Sequence, residues 1–153
     1  TGFVFFGLIN VGGEPFVIEY NCRMGDPETE VVIPRIEDDL VEVFQDAISK
    51  KLDGKKLTFS SQSAATIMLV SGGYPGDFEK YKRITGVDNV QDSIVFHAGT
   101  TEKDGDILTS GGRVMAITSV ADNFQEAIRI SLKNAEKIHF EGKYFRRDIG
   151  FDL

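Results

Sequence analysis

The residues best equipped for chemistry lie in one run, Glu19-Tyr20-Asn21-Cys22-Arg23-Met24-Gly25-Asp26-Pro27-Glu28-Thr29-Glu30. Side chains alternate faces along a strand, so if this run begins as one, Glu19, Asn21 and Arg23 share a face while Ile18, Tyr20 and Cys22 point the other way. A carboxylate and an amide oxygen about 7 Å apart along the backbone can reach one hard cation. Magnesium, or manganese in its place, suits such oxygen ligands and keeps waters and substrate phosphates for its remaining positions. Arg23, just beyond, has the planar fork to grip a phosphate or acyl-phosphate oxygen. The plain alternative is that an isolated E-x-N-x-R is the solvent-facing side of a half-exposed strand. Gly25-Asp26-Pro27 reads as a turn that leads into a helix with Asp26 as N-cap and Pro27 at N1, with Glu28 and Glu30 near its positive end.

The elements that must position these groups can be read from pattern. Phe3 to Ile9 and Pro15 to Asn21 are two strand-like runs flanking Gly12-Gly13, which predicts a β-hairpin. Leu40, Val43, Phe44, Ala47, Ile48 and Leu52 have helical spacing, with Asp38 or Asp39 as N-cap and Gly54 beyond the end. Short β-type runs come next, at 65–70, 94–98 and 113–119. Phe124 to Ile138 then predicts a second amphipathic helix capped by Asp122 or Asn123, and Phe145 to Ile149 predicts an edge strand. The texture changes between Gly54 and Ser63, so we expect two parts, residues 1–57 and 58–153, in an α+β chain.

Composition narrows the function classes. A chain of 153 residues with 41% hydrophobic and 27% charged residues is an ordinary globular composition, and its length suffices for a core. A net charge of -7 argues against non-specific attachment to nucleic acid or an anionic membrane. No run approaches a membrane span, and Thr1-Gly2-Phe3 lacks the order of a signal peptide. The single cysteine, Cys22, has no intrachain partner, and together these features predict a cytoplasmic protein. A chain opening without methionine straight into an apolar run reads as a cut through a larger protein. Cys22, alternating toward the core beside Tyr20, is expected to be an inert buried thiol. His97 is expected to be a hydrogen-bonded structural residue and His139 a complement to a helix dipole. The glycines of Gly72-Gly73-Tyr74-Pro75-Gly76 and Gly111-Gly112 are expected to mark turns, without the lysine and Ser/Thr of a phosphate-binding P-loop.

Arg23-Met24-Gly25-Asp26-Pro27-Glu28-Thr29-Glu30-Val31-Val32 resembles the signature of phosphoribosylamine–glycine ligases. Four further segments are similar to that family in the same order: Gly73 to Gly76, Phe96 to Thr100, Ser110 to Val114 and Tyr144 to Gly150. The resemblance implies the end of an ATP-grasp domain followed by a small β-rich C-terminal domain with one long helix. It implies Glu19 and Asn21 as Mg2+ (or Mn2+) ligands, Arg23 as a contact to the transferring phosphoryl group, and ATP as co-substrate. It also implies a reaction joining glycine to 5-phosphoribosylamine through a glycyl phosphate in purine biosynthesis. The adenine pocket and the nucleotide-holding lysines of that family lie upstream, so the fragment alone is expected to be inactive. Many ATP-grasp enzymes add a second carboxylate from the preceding strand, where this sequence offers Phe5 and Gly7. The alternatives are another ATP-grasp ligase or carboxylase, or a non-catalytic interaction module.

Overall fold

The structure is a computed structural model that describes residues 1–151; Asp152 and Leu153, the end of the second expected part, lie outside the described residues. The chain divides into two compact units, residues 1–60 and the remainder from Ser61. It mixes strands and helices, with one long helix near its C-terminus.

In the first unit, strands β1 (Phe5–Val11) and β2 (Glu14–Asn21) form an antiparallel hairpin. Its turn uses left-handed backbone at Gly12 and Gly13, φ 62° and 94°, and Asn10 Oδ1 accepts the Gly13 N–H at 2.8 Å. The register pairs Phe5 with Asn21, Phe6 with Tyr20 and Gly7 with Glu19, then shifts by a bulge between Gly7 and Leu8. After a cis Asp26–Pro27 peptide comes a single helical turn, α1 (Thr29–Val32). A 3₁₀ turn at Ile33–Arg35 is next, then helix α2 (Leu40–Ile48). Asp39 caps α2 by accepting the Val41 and Glu42 N–H groups. Two expectations fail here. The N-cap of α1 is Glu28 rather than Asp26, because residues 25–28 form a turn in which Gly25 O accepts from Thr29 N and Oγ1. Helix α2 stops short of Leu52, because its last carbonyls are taken by Ser49, Lys50 and Lys51 N–H groups and Lys50 turns left-handed at φ 58°.

The second unit holds the chain's core. Strands β3 (Ser63–Val70), β7 (Arg113–Ala121) and β4 (Ile94–His97) form an antiparallel sheet in the order β3-β7-β4. Val114, Met115, Ala116 and Ile117 of the central strand are fully buried. Helix α3 (Phe124–Lys137) packs on β3 and β7, its N-terminus capped by Asn123, whose Oδ1 accepts the Glu126 N–H at 2.9 Å. At its other end, Lys143 Nζ donates to Ala135 O and Ile138 O, and burial pushes that ammonium's pKa down. Lys143 thus supplies a cation at this terminus beside Lys137 of the last turn. His139 instead pairs by its backbone with Thr85.

The sequence pattern did not reveal a second hairpin, β5 (Thr100–Lys103) and β6 (Asp106–Thr109), turning at Asp104-Gly105. The edge strand expected at 145–149 does not form. Tyr144 alone exchanges backbone hydrogen bonds with Val70, after which Phe145 buries into the core and Arg146 pairs with Asp148. Among the described residues no helix is long and apolar enough to cross a membrane.

A chain of buried hydroxyls and an amide ties α3 to the sheet. Ser131 Oγ lies 3.0 Å from Ala65 O and 2.8 Å from Ser119 Oγ, and Ser119 Oγ lies 2.7 Å from Ser93 Oγ. Asn134 Nδ2 donates to Ser93 Oγ and to Gln91 O, at 2.6 and 2.5 Å. Ser119, Ser131 and Asn134 are buried, so removing one member leaves a neighbour short of a partner in or beside the interior. Asn134→Ala is therefore expected to destabilise the chain by roughly 1–3 kcal/mol, read as a lower urea midpoint with unchanged m-value, whereas Lys133→Ala on the same helix leaves the midpoint in place.

Candidate functional site

The hairpin register places Glu19 and Asn21 on one face at the end of β2. Their side chains touch, with Asn21 Nδ2 donating to Glu19 Oε1 at 3.0 Å. That bond uses the amide N–H and leaves Asn21 Oδ1 and Glu19 Oε2 with lone pairs for another partner. Opposite Glu19 stands Gly7, where an added Cβ would lie 2.9 Å from Glu19 Cγ, so only glycine leaves the carboxylate where it is. Opposite Asn21 stands Phe5, and β1 itself carries no carboxylate. The other face of the hairpin is aromatic, with Phe6 and Tyr20 in an edge-to-face contact at 5.2 Å. Glu19 and Asn21 thus face opposite to Tyr20, as the alternation predicts, while Phe5 shares their face.

The donor set fits a hard divalent cation that keeps water and phosphate in its shell, since it offers one carboxylate and one amide oxygen. Among the described residues no group of three or more His, Cys, Asp or Glu side chains could by itself hold a metal ion. A self-sufficient protein cage is therefore not what this chain provides. The two oxygens would be two protein ligands out of six.

Arg23 is not drawn to this pair. Strand β2 ends at Asn21, Cys22 and Arg23 form a bend, and the Arg23 guanidinium donates to Met24 O at 2.8 Å. The strand alternation expected to carry it onto the face of Glu19 is lost because the chain turns two residues early. The same bend overturns the buried-thiol expectation, since Cys22 is exposed, as is Tyr20 at 64%. No hydrophobic side chain among residues 1–60 is buried, so the side of the hairpin expected to back onto a core has none within this unit.

In the second unit, His97 Nδ1 lies 3.0 Å from Thr100 Oγ1, the hydrogen-bonded role its position predicts. The glycine segments are indeed turns, and they also allow close contact. The Tyr74 ring lies where a Cβ on Gly112 would be, and Gly99 and Gly111 meet backbone to backbone. Pattern alone could not reveal those contacts, because Gly99 and Gly111 are 12 residues apart in sequence and Tyr74 and Gly112 are 38.

Comparison with known proteins places the chain among relatives of one kind. Residues 64–152 match the family model described as phosphoribosylglycinamide synthetase, C domain. The phosphoribosylamine–glycine ligase of Pasteurella multocida is 44% identical over 153 residues, 99% of this chain and 36% of the relative. The crystal structure of phosphoribosylamine–glycine ligase from Thermotoga maritima superposes with a TM-score of 0.77 at 38% identity, covering 95% of this chain and 36% of that one. The Kluyveromyces lactis urea carboxylase superposes with a TM-score of 0.60 at 16% identity, covering 90% of this chain and 13% of that one, a likeness of fold alone. The chain thus spans about a third of the length of the curated relatives it matches.

If Gly7 is what seats the Glu19 carboxylate, Gly7→Ala is expected to part it from Asn21. In 15N-edited NMR spectra the Asn21 side-chain amide pair should shift more than that of Asn123, which lies in the other unit. An unmoved Asn21 amide would show that the contact does not depend on the glycine.

Proposed function

We infer, for a chain that belongs to the phosphoribosylglycinamide synthetase C-domain family, that the full-length protein is an ATP-dependent ligase joining glycine to 5-phosphoribosylamine. In this reading residues 1–57 close an ATP-grasp domain and residues 58–153 form the C-terminal domain. The part of the ligase that this chain does not match supplies the adenine pocket and the phosphate-holding lysines, and the 153-residue chain alone turns over no ATP.

The observation that carries the reading is the contact between Glu19 and Asn21, at 3.0 Å, facing Gly7 and followed at once by Arg23-Met24-Gly25-Asp26-Pro27-Glu28. A free carboxylate is a poor electrophile. Phosphorylation solves this: a glycine oxygen takes the γ-phosphoryl group of ATP and ADP leaves. The amine of phosphoribosylamine then attacks the acyl carbon, phosphate departs, and the nitrogen gives up a proton as the amide forms. A bound Mg2+ or Mn2+ would neutralise charge on the nucleotide phosphates. Glu19 and Asn21 would hold that ion by the oxygens left free of their mutual bond. Arg23 releases Met24 O and turns its guanidinium to the moving phosphoryl group, an electrostatic contribution rather than acid or base catalysis. A carboxylase sharing the fold would accept bicarbonate where this enzyme takes glycine, which makes the carboxylate substrate the deciding variable.

The test is ADP release by the full-length protein, expected only when glycine, phosphoribosylamine and Mg2+ are all present. Bicarbonate replacing glycine with equal rate would overturn the reading. Arg23→Ala is expected to lower kcat about a hundredfold while the KM for ATP changes little, because the contact strengthens as charge develops. The full-length parent is expected to show a Mg2+-ATP-dependent rise in Tm, and Glu19→Gln to lose it. Equal kcat in parent and Arg23→Ala would remove Arg23 from the phosphoryl site.

A further inference from the structure

We propose that Glu28 is the residue that recognises the amine of the amino-acid substrate. The proposal rests on the reading above, that a glycine carboxylate is phosphorylated beside Glu19 and Asn21, and adds a specificity-determining group to that site.

Gly25 is the one buried position in residues 1–60, and its covering groups are informative. A Cβ on Gly25 would lie 2.8 Å from Glu28 Oε2 and 2.9 Å from Phe5 Cε2. The Glu28 carboxylate is therefore folded back over the turn to where the Phe5 ring reaches, instead of extending away along α1. Phe5 is in turn the residue paired across the hairpin with Asn21, and neighbours paired across a hairpin share a face. The turn thus gathers Glu28, Phe5, Asn21 and Glu19 at one end of the hairpin.

Glu28 is exposed and, among the described residues, its carboxylate has no hydrogen bond or ion pair. Several acids of this unit are engaged, Glu19 with Asn21, Asp39 with the start of α2 and Asp46 with Lys55, while Glu30 keeps one buried carboxylate oxygen without a partner. The carboxylate of Glu28 lies over Gly25 and is left without a counter-charge. Phe5 pairs with Asn21 and its ring reaches Gly25, so the path from the Asn21 pairing to Glu28 runs the length of the Phe5 side chain. That offset suits a second group of a small substrate better than one ion's coordination sphere. In an α-amino acid the ammonium is two bonds from the carboxyl carbon, so a substrate carboxylate at the metal end carries a cation that needs an acid a short way off. A charge-assisted hydrogen bond from that ammonium to Glu28 meets the need. It also separates glycine from carboxylates that lack the amine.

The experiment uses the full-length enzyme and steady-state ADP release, with glycine and acetate as alternative carboxylates. Glu28→Gln is expected to raise the KM for glycine by about tenfold or more. The KM for ATP and the half-saturating Mg2+ concentration should stay within about twofold. The parent should prefer glycine to acetate strongly, Glu28→Gln should narrow that ratio by about the same factor, and Glu28→Asp, which keeps the charge on a shorter arm, should fall between. An unchanged glycine KM and an unchanged ratio overturn the proposal. So does a raised Mg2+ requirement with glycine unaffected, which would make Glu28 a metal ligand. A parent enzyme that releases no ADP in response to glycine overturns the underlying reading and the proposal with it.

Discussion

Gly7 faces Glu19 across the hairpin, and this pairing decides what the first unit can do. With any side chain at position 7, the nearest contact is the middle of the Glu19 side chain, which must then shift from the place where it meets Asn21. A slip of one residue would be worse, because the period of a strand is two and the polar pair would exchange faces with the Phe6 and Tyr20 rings. The bulge directly after Gly7 concentrates the irregularity on the turn side of this pair and leaves the last three pairings of β2 regular. The 25–28 turn depends on that regular end of the hairpin. The Phe5 ring reaches back over Gly25, and the turn is closed by two hydrogen bonds from Thr29 to Gly25 O.

The second unit solves a different problem. Its sheet and α3 bury Ile67, Leu69, Met115, Ile117 and Ile138, which is a sufficient reason to fold. Apolar packing alone is tolerant of small shifts, whereas a chain of satisfied polar groups is not. Ser131, Ser119, Ser93 and Asn134 form such a chain through the interior and fix the loop carrying Gln91 against α3. At the other end of the sheet, glycines replace side chains as the packing device: Gly99 and Gly111 touch by backbone, and Tyr74 covers Gly112. Residues of the Gly73–Gly76, Phe96–Thr100 and Ser110–Val114 segments, which stood apart in the sequence as family-like, meet there. Their resemblance to relatives therefore has a packing explanation that needs no ligand.

Legibility in the sequence tracked how local each cause was. The hairpin of β1 and β2 and helix α3 were legible because their signals, paired glycines between apolar runs and a capped 3.6-residue period, lie within the elements themselves. The face shared by Glu19 and Asn21 was legible for the same reason. Arg23 and Cys22 were not, because the strand's end is set by the turn beyond it, and alternation carried two residues too far inverts the expectation. The β5 and β6 hairpin was passed over because Thr100–Lys103 is polar, although Asp104-Gly105, both left-handed, is a strong turn signal. At 145–149 only Phe145 and Ile149 are apolar, and Phe145 serves the core as a single buried side chain and not as part of a ladder.

The alternative of an interaction module with a degenerate site makes a different demand on the same residues. A surface kept only for contact needs apolar area, and the hairpin has it in Phe6, Leu8, Ile9, Phe16 and Ile18. It has no use for a glycine that clears space for one carboxylate, or for an amide that satisfies half of that carboxylate and leaves the other half open. Nor would it need a second acid folded over Gly25 without a counter-charge. Each of these features is unfavourable or neutral for the isolated fold: a glycine in a strand loses packing, and an unpaired carboxylate contributes no bond. In the function proposed above they become favourable together when a metal ion and the substrate ammonium arrive from outside the chain. The costs borne at Gly7, Asn21 and Glu28 are thus local departures from what stability alone would select, and such departures gather where a protein meets its substrates.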